Sequence, residues 1–242
     1  MIEAYCGPAP TPASLFWAWN PDPVALGLCV VLGALHMHVT RKGGLPLWTA
    51  VGLIFLLFVS PLCALTTALF SARVAHHILL VAVAAPLLAL AFADRELEVR
   101  IPLSWLAGLH AATVWFWHVP DIYSAAIYSA VLYWLMQASL LGTGVLLWRG
   151  IFAERANIGA AMLALLATVI QMGMLGALLT FAQKPLYQPH FLTTGPFGLS
   201  PLEDQQLAGL IMWVPAALPY LLAALLLFAA RLTPRRLETV AR

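Results

Sequence analysis

Seven long stretches almost free of charge leave this chain of 242 residues little choice but a bilayer. They are Pro23–Thr40, Pro46–Leu65, Ala75–Ala93, Pro102–His118, Ser124–Leu147, Ile158–Ala182 and Gln206–Leu232. A membrane core takes about 20 apolar residues per helix. Inside it every backbone N–H and C=O must find a partner within the protein, which selects helices. Charged residues make up 9% of the chain and the mean hydropathy is +0.91, against about a quarter charged in soluble domains. The expected fold is therefore all-α, a polytopic bundle of seven transmembrane helices. Residues 1–242 form one integral membrane domain, with 183–205 as its longest external loop. A net charge of +2 without a basic block gives no footing for nucleic acid. Residues 1–20 hold no Lys or Arg, so no cleaved signal segment is expected.

Orientation follows from the cations in the connections. One side would carry Arg41, Lys42, Arg95, Arg100, Arg149, Arg155, Arg231, Arg235, Arg236 and Arg242, and the other only Arg73 and Lys184. Basic residues stay in the cytoplasm, which predicts an external N-terminus and a cytoplasmic C-terminus. Pro61, Pro86, Pro215 and Pro219 fall inside or near the ends of the spans and should kink them. The loop at 183–205 carries Tyr187, His190, Phe197 and several prolines, a composition expected to pack over the helix mouths.

Depth then groups the polar residues. His76 and His77 open the third span from outside, His118 closes the fourth at the same level, and Glu203 and Asp204 precede the seventh. Three histidines and two carboxylates thus share the outer level, a plausible set of ligands and supporting groups for a metal. His110 lies eight residues before His118, about 12 Å deeper and about 80° around the helix. Met172 and Met174 on the sixth span, with Met136 and Met212, form a soft set below. Thioether with imidazole favours Cu(I) over harder ions. Each residue also has a plainer reading. Methionines pack, a lone His110 hydrogen-bonds to a neighbouring helix, His190 is solvated, Trp115 and Trp117 belong to an interfacial belt, and Cys29 and Cys63 are packing residues. Cys6 stands alone near the N-terminus, with a thiol ligand as one reading.

Several chemistries have no motif here. There is no HExxH, no GxSxG and only one HH pair, and the last span lacks a lysine for a retinal Schiff base. Three readings stand beside copper handling: a haem protein with His110 as an axial ligand, a copper or proton transporter, and a structural scaffold.

The order of motifs resembles a known family. Ala75-His76-His77-Ile78-Leu79-Leu80 with Ala85-Pro86-Leu87-Leu88, Phe116-Trp117-His118-Val119-Pro120, Gly173-Met174-Leu175-Gly176-Ala177 with Pro185-Leu186-Tyr187, and above all the block Ser200 to Pro215 (SPLEDQQLAGLIMWVP) are similar to the multi-spanning cytochrome c oxidase assembly factors called CtaG. The resemblance covers about residues 65–230. It implies a non-enzymatic role in maturing haem–copper oxidases, with copper, as Cu(I), the cargo handed over at the periplasmic face. Cytochrome c oxidase subunits or a copper donor protein are the implied partners, the bacterial inner membrane the location, and a homodimer is left open. The motif positions carry over as His76, His77, His118, Asp204 and Gln205. Gln137 stands where many members of the family have a histidine, with Met136 beside it.

Overall fold

The computed structural model describes residues 4–40, 44–92, 101–153 and 157–232. Of the cations that set the expected orientation, Arg41, Lys42, Arg95, Arg100, Arg155, Arg235, Arg236 and Arg242 lie outside these residues, as does the side chain of Arg231. Among the described residues the fold is helical throughout. The helices are α1 (Pro23–Thr40), α2 (Leu45–Val59), α3 (Pro61–Ala68), α4 (Phe70–Leu79), α5 (Ala85–Ala91), α6 (Leu103–Trp117), α7 (Pro120–Tyr128), α8 (Ala130–Phe152), α9 (Ile158–Thr180), α10 (Pro201–Trp213) and α11 (Ala217–Leu232). A π-helical turn, Leu80–Ala84, joins α4 to α5.

Each of the seven expected segments carries helix, but the boundaries and continuity differ. Among the described residues four helical stretches are long and apolar enough to cross a membrane: Phe70–Ala91, Ala130–Phe152, Ile158–Thr180 and Pro201–Ala230. A fifth arises if α2 and α3, which meet at 50°, count as one span. Helix α1 is apolar over a shorter run, Pro23–Leu35, and α6 has 15 residues.

The breaks have local causes. Ser60 ends α2 in an extended conformation, and its hydroxyl accepts from Leu62 N to start α3, with Pro61 in the first helical position. Proline there sacrifices no hydrogen bond. Ser129 does the same between α7 and α8, accepting from Leu132 N, so the expected Ser124–Leu147 span is two helices. The seventh span starts earlier than hydropathy alone suggests. Ser200 and Glu203 form a reciprocal capping box that begins α10 at Pro201, satisfying amides that would otherwise be orphaned.

The π turn shows how Pro86 acts. Ala85 N donates to Leu80 O, one residue further back than in an α-helix, and Pro86 has no N–H. Val81 O is thereby left without either helical donor. The indole of Trp148 on α8 supplies one, donating to Val81 O at 3.0 Å, and Tyr220 of α11 stacks on that indole with ring centres 5.2 Å apart. Proline thus ties three elements together rather than simply bending one.

Helices α9 and α10 pack most extensively. Gly176 and Gly209 face each other there. A Cβ at Gly209 would meet Gly176 O at 2.5 Å and Thr180 N at 2.6 Å, and Thr180 Oγ1 closer still. Backbone atoms cannot step aside as a flexible side chain can. Gly209→Ala should therefore cost about 1–3 kcal/mol as an overpacking change, read as a lower thermal midpoint in detergent. An unchanged midpoint would mean that the two helices are not this close.

A disulfide joins Cys6 to Cys63 with Cα atoms 5.4 Å apart. Both cysteines were expected to be separate, one as packing and one alone. Instead they staple the N-terminal segment to α3. Tyr5 stacks on Tyr133 with ring centres 4.2 Å apart, which holds the segment against α8. Cys29 is the free thiol among the described residues.

A candidate metal-handling site at one end of the bundle

The site begins with the start of α4. Leu69, at its cap position, has no side chain able to satisfy the first amides. The carboxylate of Asp204, from α10, does so across the bundle. It accepts from Phe70 N at 2.6 Å and Ser71 N at 3.2 Å, and from the Ser71 hydroxyl. A negative group at a helix N-terminus also meets the positive end of the macrodipole. Asp204 has 0% exposure, and its oxygens are committed to α4.

The rest of the SPLEDQQ block fastens the external loop. Gln205 Oε1 accepts from Leu186 N at 2.7 Å, and its Nε2 donates to Lys184 O at 3.4 Å. Gln206 Nε2 donates to Ala182 O at 3.3 Å. So held, the loop lies on the site. Tyr187 stacks on Phe70 at 3.8 Å, and its hydroxyl donates to His118 O at 2.9 Å. Thr193 donates to Ala68 O at 2.7 Å.

His190, read from sequence as a solvated loop residue, is buried, with its Nε2 2.7 Å from the Tyr123 hydroxyl. Burial, and after it the Arg73 guanidinium, holds its imidazole down to about 3. The unfolded chain takes up that proton below about pH 6.5. His190 therefore contributes stability above that pH, and the contribution is lost as pH falls from about 6.5 toward 3. In His190→Gln, which keeps an acceptor for Tyr123 but does not titrate, the thermal midpoint should fall less steeply with acid. Parallel profiles for the two proteins would contradict this.

Beneath the loop, α4 presents His76 and His77, and His118 follows the last residue of α6. The ring centres of His76 and His77 are 5.8 Å apart, and those of His77 and His118 are 6.2 Å apart. Two imidazoles sharing an ion, each donor nitrogen about 2 Å from it, place their ring centres at about this spacing. All three are buried. His118 Nδ1 is 2.7 Å from Val114 O. A carbonyl only accepts, so Nδ1 carries the hydrogen and Nε2 the lone pair, the arrangement that orients a metal-binding histidine. His77 Nδ1 has no hydrogen-bond partner, and His76 makes only a loose contact with the Leu57 carbonyl, outside good hydrogen-bond geometry. His77 Nε2 lies 3.4 Å from Gln137 Nε2, and Gln137 Oε1 is unpartnered. Arg73, one turn before His77, is buried with Nε and Nη1 unpartnered, its guanidinium carbon 5.3 Å from the centre of the Tyr133 ring. Buried polar atoms are normally paired. These orphaned polar atoms gather at one spot.

His110 sits deeper and apart. Thr143 donates its hydroxyl hydrogen to Ser139 O at 2.8 Å, so His110 Nδ1–H donates to Thr143 Oγ1 at 2.9 Å. Its Nε2 is buried and unpartnered. Met172, Met136 and Met212 are buried, whereas Met174 is 57% exposed on the outside of the bundle, pointing away from the interior where a soft ligand was expected. Trp117 is also buried, donating to Ser139 Oγ at 2.8 Å; it is no interfacial anchor. Among the described residues no group of three His, Cys, Asp or Glu side chains is arranged to hold a metal. The histidines are neighbours, not a closed cage. A groove of 630 Å³ between α6 and α9, lined by residues such as Ala107, Ala111 and Ala164, does not include them.

Sequence reasoning missed the roles of Arg73 and Tyr133, whereas the 183–205 loop packs over the helix ends as expected. A cation flanked by apolar residues and followed by two histidines was the available signal for Arg73.

No curated protein and no solved structure matches this chain. The family model of the cytochrome c oxidase caa3 assembly factor (Caa3_CtaG) does match, over residues 30–233. That span takes in α2 to α11 and every histidine of the cluster, and so the chain belongs to the cytochrome c oxidase caa3 assembly factor family.

Proposed function

We propose that this assembly factor binds Cu(I) between His76, His77 and His118 and hands it to a cytochrome c oxidase at the periplasmic face of the bacterial inner membrane. The observation that carries the reading is the set of buried imidazoles with unpartnered nitrogens beside a histidine whose Nδ1–H is already fixed on Val114 O. Seven membrane crossings with an external N-terminus would put this end of the bundle outside, where an oxidase subunit or a copper donor protein can reach it. Neutral imidazole suits Cu(I), and so does the buried thioether of Met172. His110 and Met172 are then a deeper waiting position. Asp204 serves by placing α4, and with it both histidines, rather than by ligating. The role is binding and transfer, not catalysis.

His118→Ala tests this directly. Loss of a ligand or its orienting partner commonly costs about 10- to 100-fold in metal affinity. Cells carrying the variant in place of the wild type should assemble oxidase with its haem but with copper and turnover reduced, and added copper should restore both. Full oxidase copper in the variant would refute the site.

A further inference from the structure

The Cys6–Cys63 disulfide lies beside two hydrogen-bond donors, one of which, Asn20 Nδ2, also donates to Phe58 O at 3.4 Å. Asn20 Nδ2 is 3.5 Å from Cys63 Sγ. The Tyr133 hydroxyl is 3.6 Å from Cys6 Sγ and 3.9 Å from Cys63 Sγ. On the face of the same tyrosine ring lies Arg73, whose Nε and Nη1 are buried and unpartnered. Disulfide sulfur is a weak, uncharged acceptor. A pair of thiolates would accept more strongly from Asn20 and Tyr133 and would bring negative charge to the tyrosine on which Arg73 rests. A buried cation without a counter-charge is costly, and Asp204 is already engaged by α4.

We propose that Cys6 and Cys63, when reduced, form a second Cu(I) site, a bis-thiolate next to the histidine cluster and paired with Arg73. The proposal rests on the copper-handling reading above. The balanced steps are these. A protein dithiol attacks the disulfide at Cys6, in a turn of the N-terminal segment, forming a mixed disulfide and releasing Cys63 as a thiolate. The partner's second thiol then resolves the mixed disulfide. The partner is oxidised by two electrons to its disulfide, and its two protons end on Cys6 and Cys63. Cu(I) then replaces both protons, giving a two-sulfur complex of net charge −1 against the +1 of Arg73. Soft thiolates hold Cu(I) firmly, whereas neutral imidazoles beside a guanidinium hold it less so. A partner disulfide that takes the two electrons, and two protons, to become a dithiol would re-form Cys6–Cys63 and leave the ion to the histidines, making release depend on the redox state of the staple. The same staple fixes the N-terminal segment through Tyr5 and Tyr133.

The test uses the full chain in detergent without oxygen, once with the disulfide intact and once after reduction and removal of the reductant. Both forms are loaded with Cu(I) in the presence of a competing chromophoric chelator, and copper per chain is counted. The reduced form should hold one more Cu(I) than the oxidised form, with sulfur in its first coordination shell by X-ray absorption. Cu(I) should shield Cys6 and Cys63 from alkylation while Cys29 stays reactive, a readout that needs no variant. Cys63→Ser should lose the additional ion and keep the histidine-dependent one; His76→Ala/His77→Ala should do the reverse. Equal copper in the two forms, or alkylation of Cys6 and Cys63 unaffected by Cu(I), would overturn the thiolate site and leave the histidine site standing. Loss of the histidine-dependent ion alone would be a failure of the earlier reading, not of this one.

Discussion

Asp204→Ala should cost about 3–5 kcal/mol, enough to deplete the chain from membranes. Three hydrogen bonds to a carboxylate are at stake, from Phe70 N, Ser71 N and the Ser71 hydroxyl. Bonds to a charged group contribute about 1.5–3 kcal/mol each, and they are not additive. The larger effect is what remains: two buried amides at the head of α4 that lose their acceptor. Asp204→Asn should be nearly as harmful. It is the same size, but its amide group would present hydrogens to donors that need an acceptor. Ala and Asn together therefore separate a capping role, in which both fail, from simple packing, in which Asn would be tolerated. The measurement is the detergent thermal midpoint with the amount of chain recovered, and wild-type behaviour of Asn would sink the capping account.

The double replacement His76→Ala/His77→Ala should have the opposite profile, with the chain present and its function gone. Both rings are buried, so truncation leaves space, and some stability is lost with the edge contact between His76 and Phe58, whose ring centres are 5.1 Å apart. Yet three imidazole nitrogens of this pair make no well-formed hydrogen bond. Removing them takes away unpaired polar groups, which offsets part of the loss. The fold should therefore hold far better than in Asp204→Ala. Oxidase maturation should not. With two of three proposed ligands absent, Cu(I) affinity should fall at least as far as the 10- to 100-fold expected for His118→Ala, about a hundredfold or more, and oxidase copper and turnover should fall with it. Oxidase of normal copper content in cells with wild-type levels of this variant would exclude the pair from copper delivery.

The contrast between Asp204 and the histidines shows how far the sequence could be read. Helical class and the placement of His76, His77 and His118 at one level were legible, because hydropathy sets the helices and rise per residue sets the depth. That Asp204 caps α4 was not. Its partners are 134 and 133 residues away, and a depth argument cannot tell a ligand from a cap at the same level. The breaks at Ser60 and Ser129 were hidden for another reason: a hydropathy window runs straight through a single polar residue. Ser60–Pro61 nevertheless bears the same cap-then-proline signature as Ser200–Pro201, and could have been found by it. The disulfide spans 57 residues without any spacing motif, and two cysteines in apolar surroundings look the same paired or unpaired. Met174 erred through helical phase. It lies two residues from Met172, about 200° around α9, so the two could not both face inward.

The central claim is that buried imidazoles on α4 hold the ion. The most direct measurement is to load the detergent-purified chain, disulfide intact, with Cu(I) in the absence of oxygen, strip the excess and count copper per chain in wild type and in His76→Ala/His77→Ala. The account predicts one bound ion fewer in the variant than in the wild type, with both chains equally folded. Equal copper in the two would contradict it.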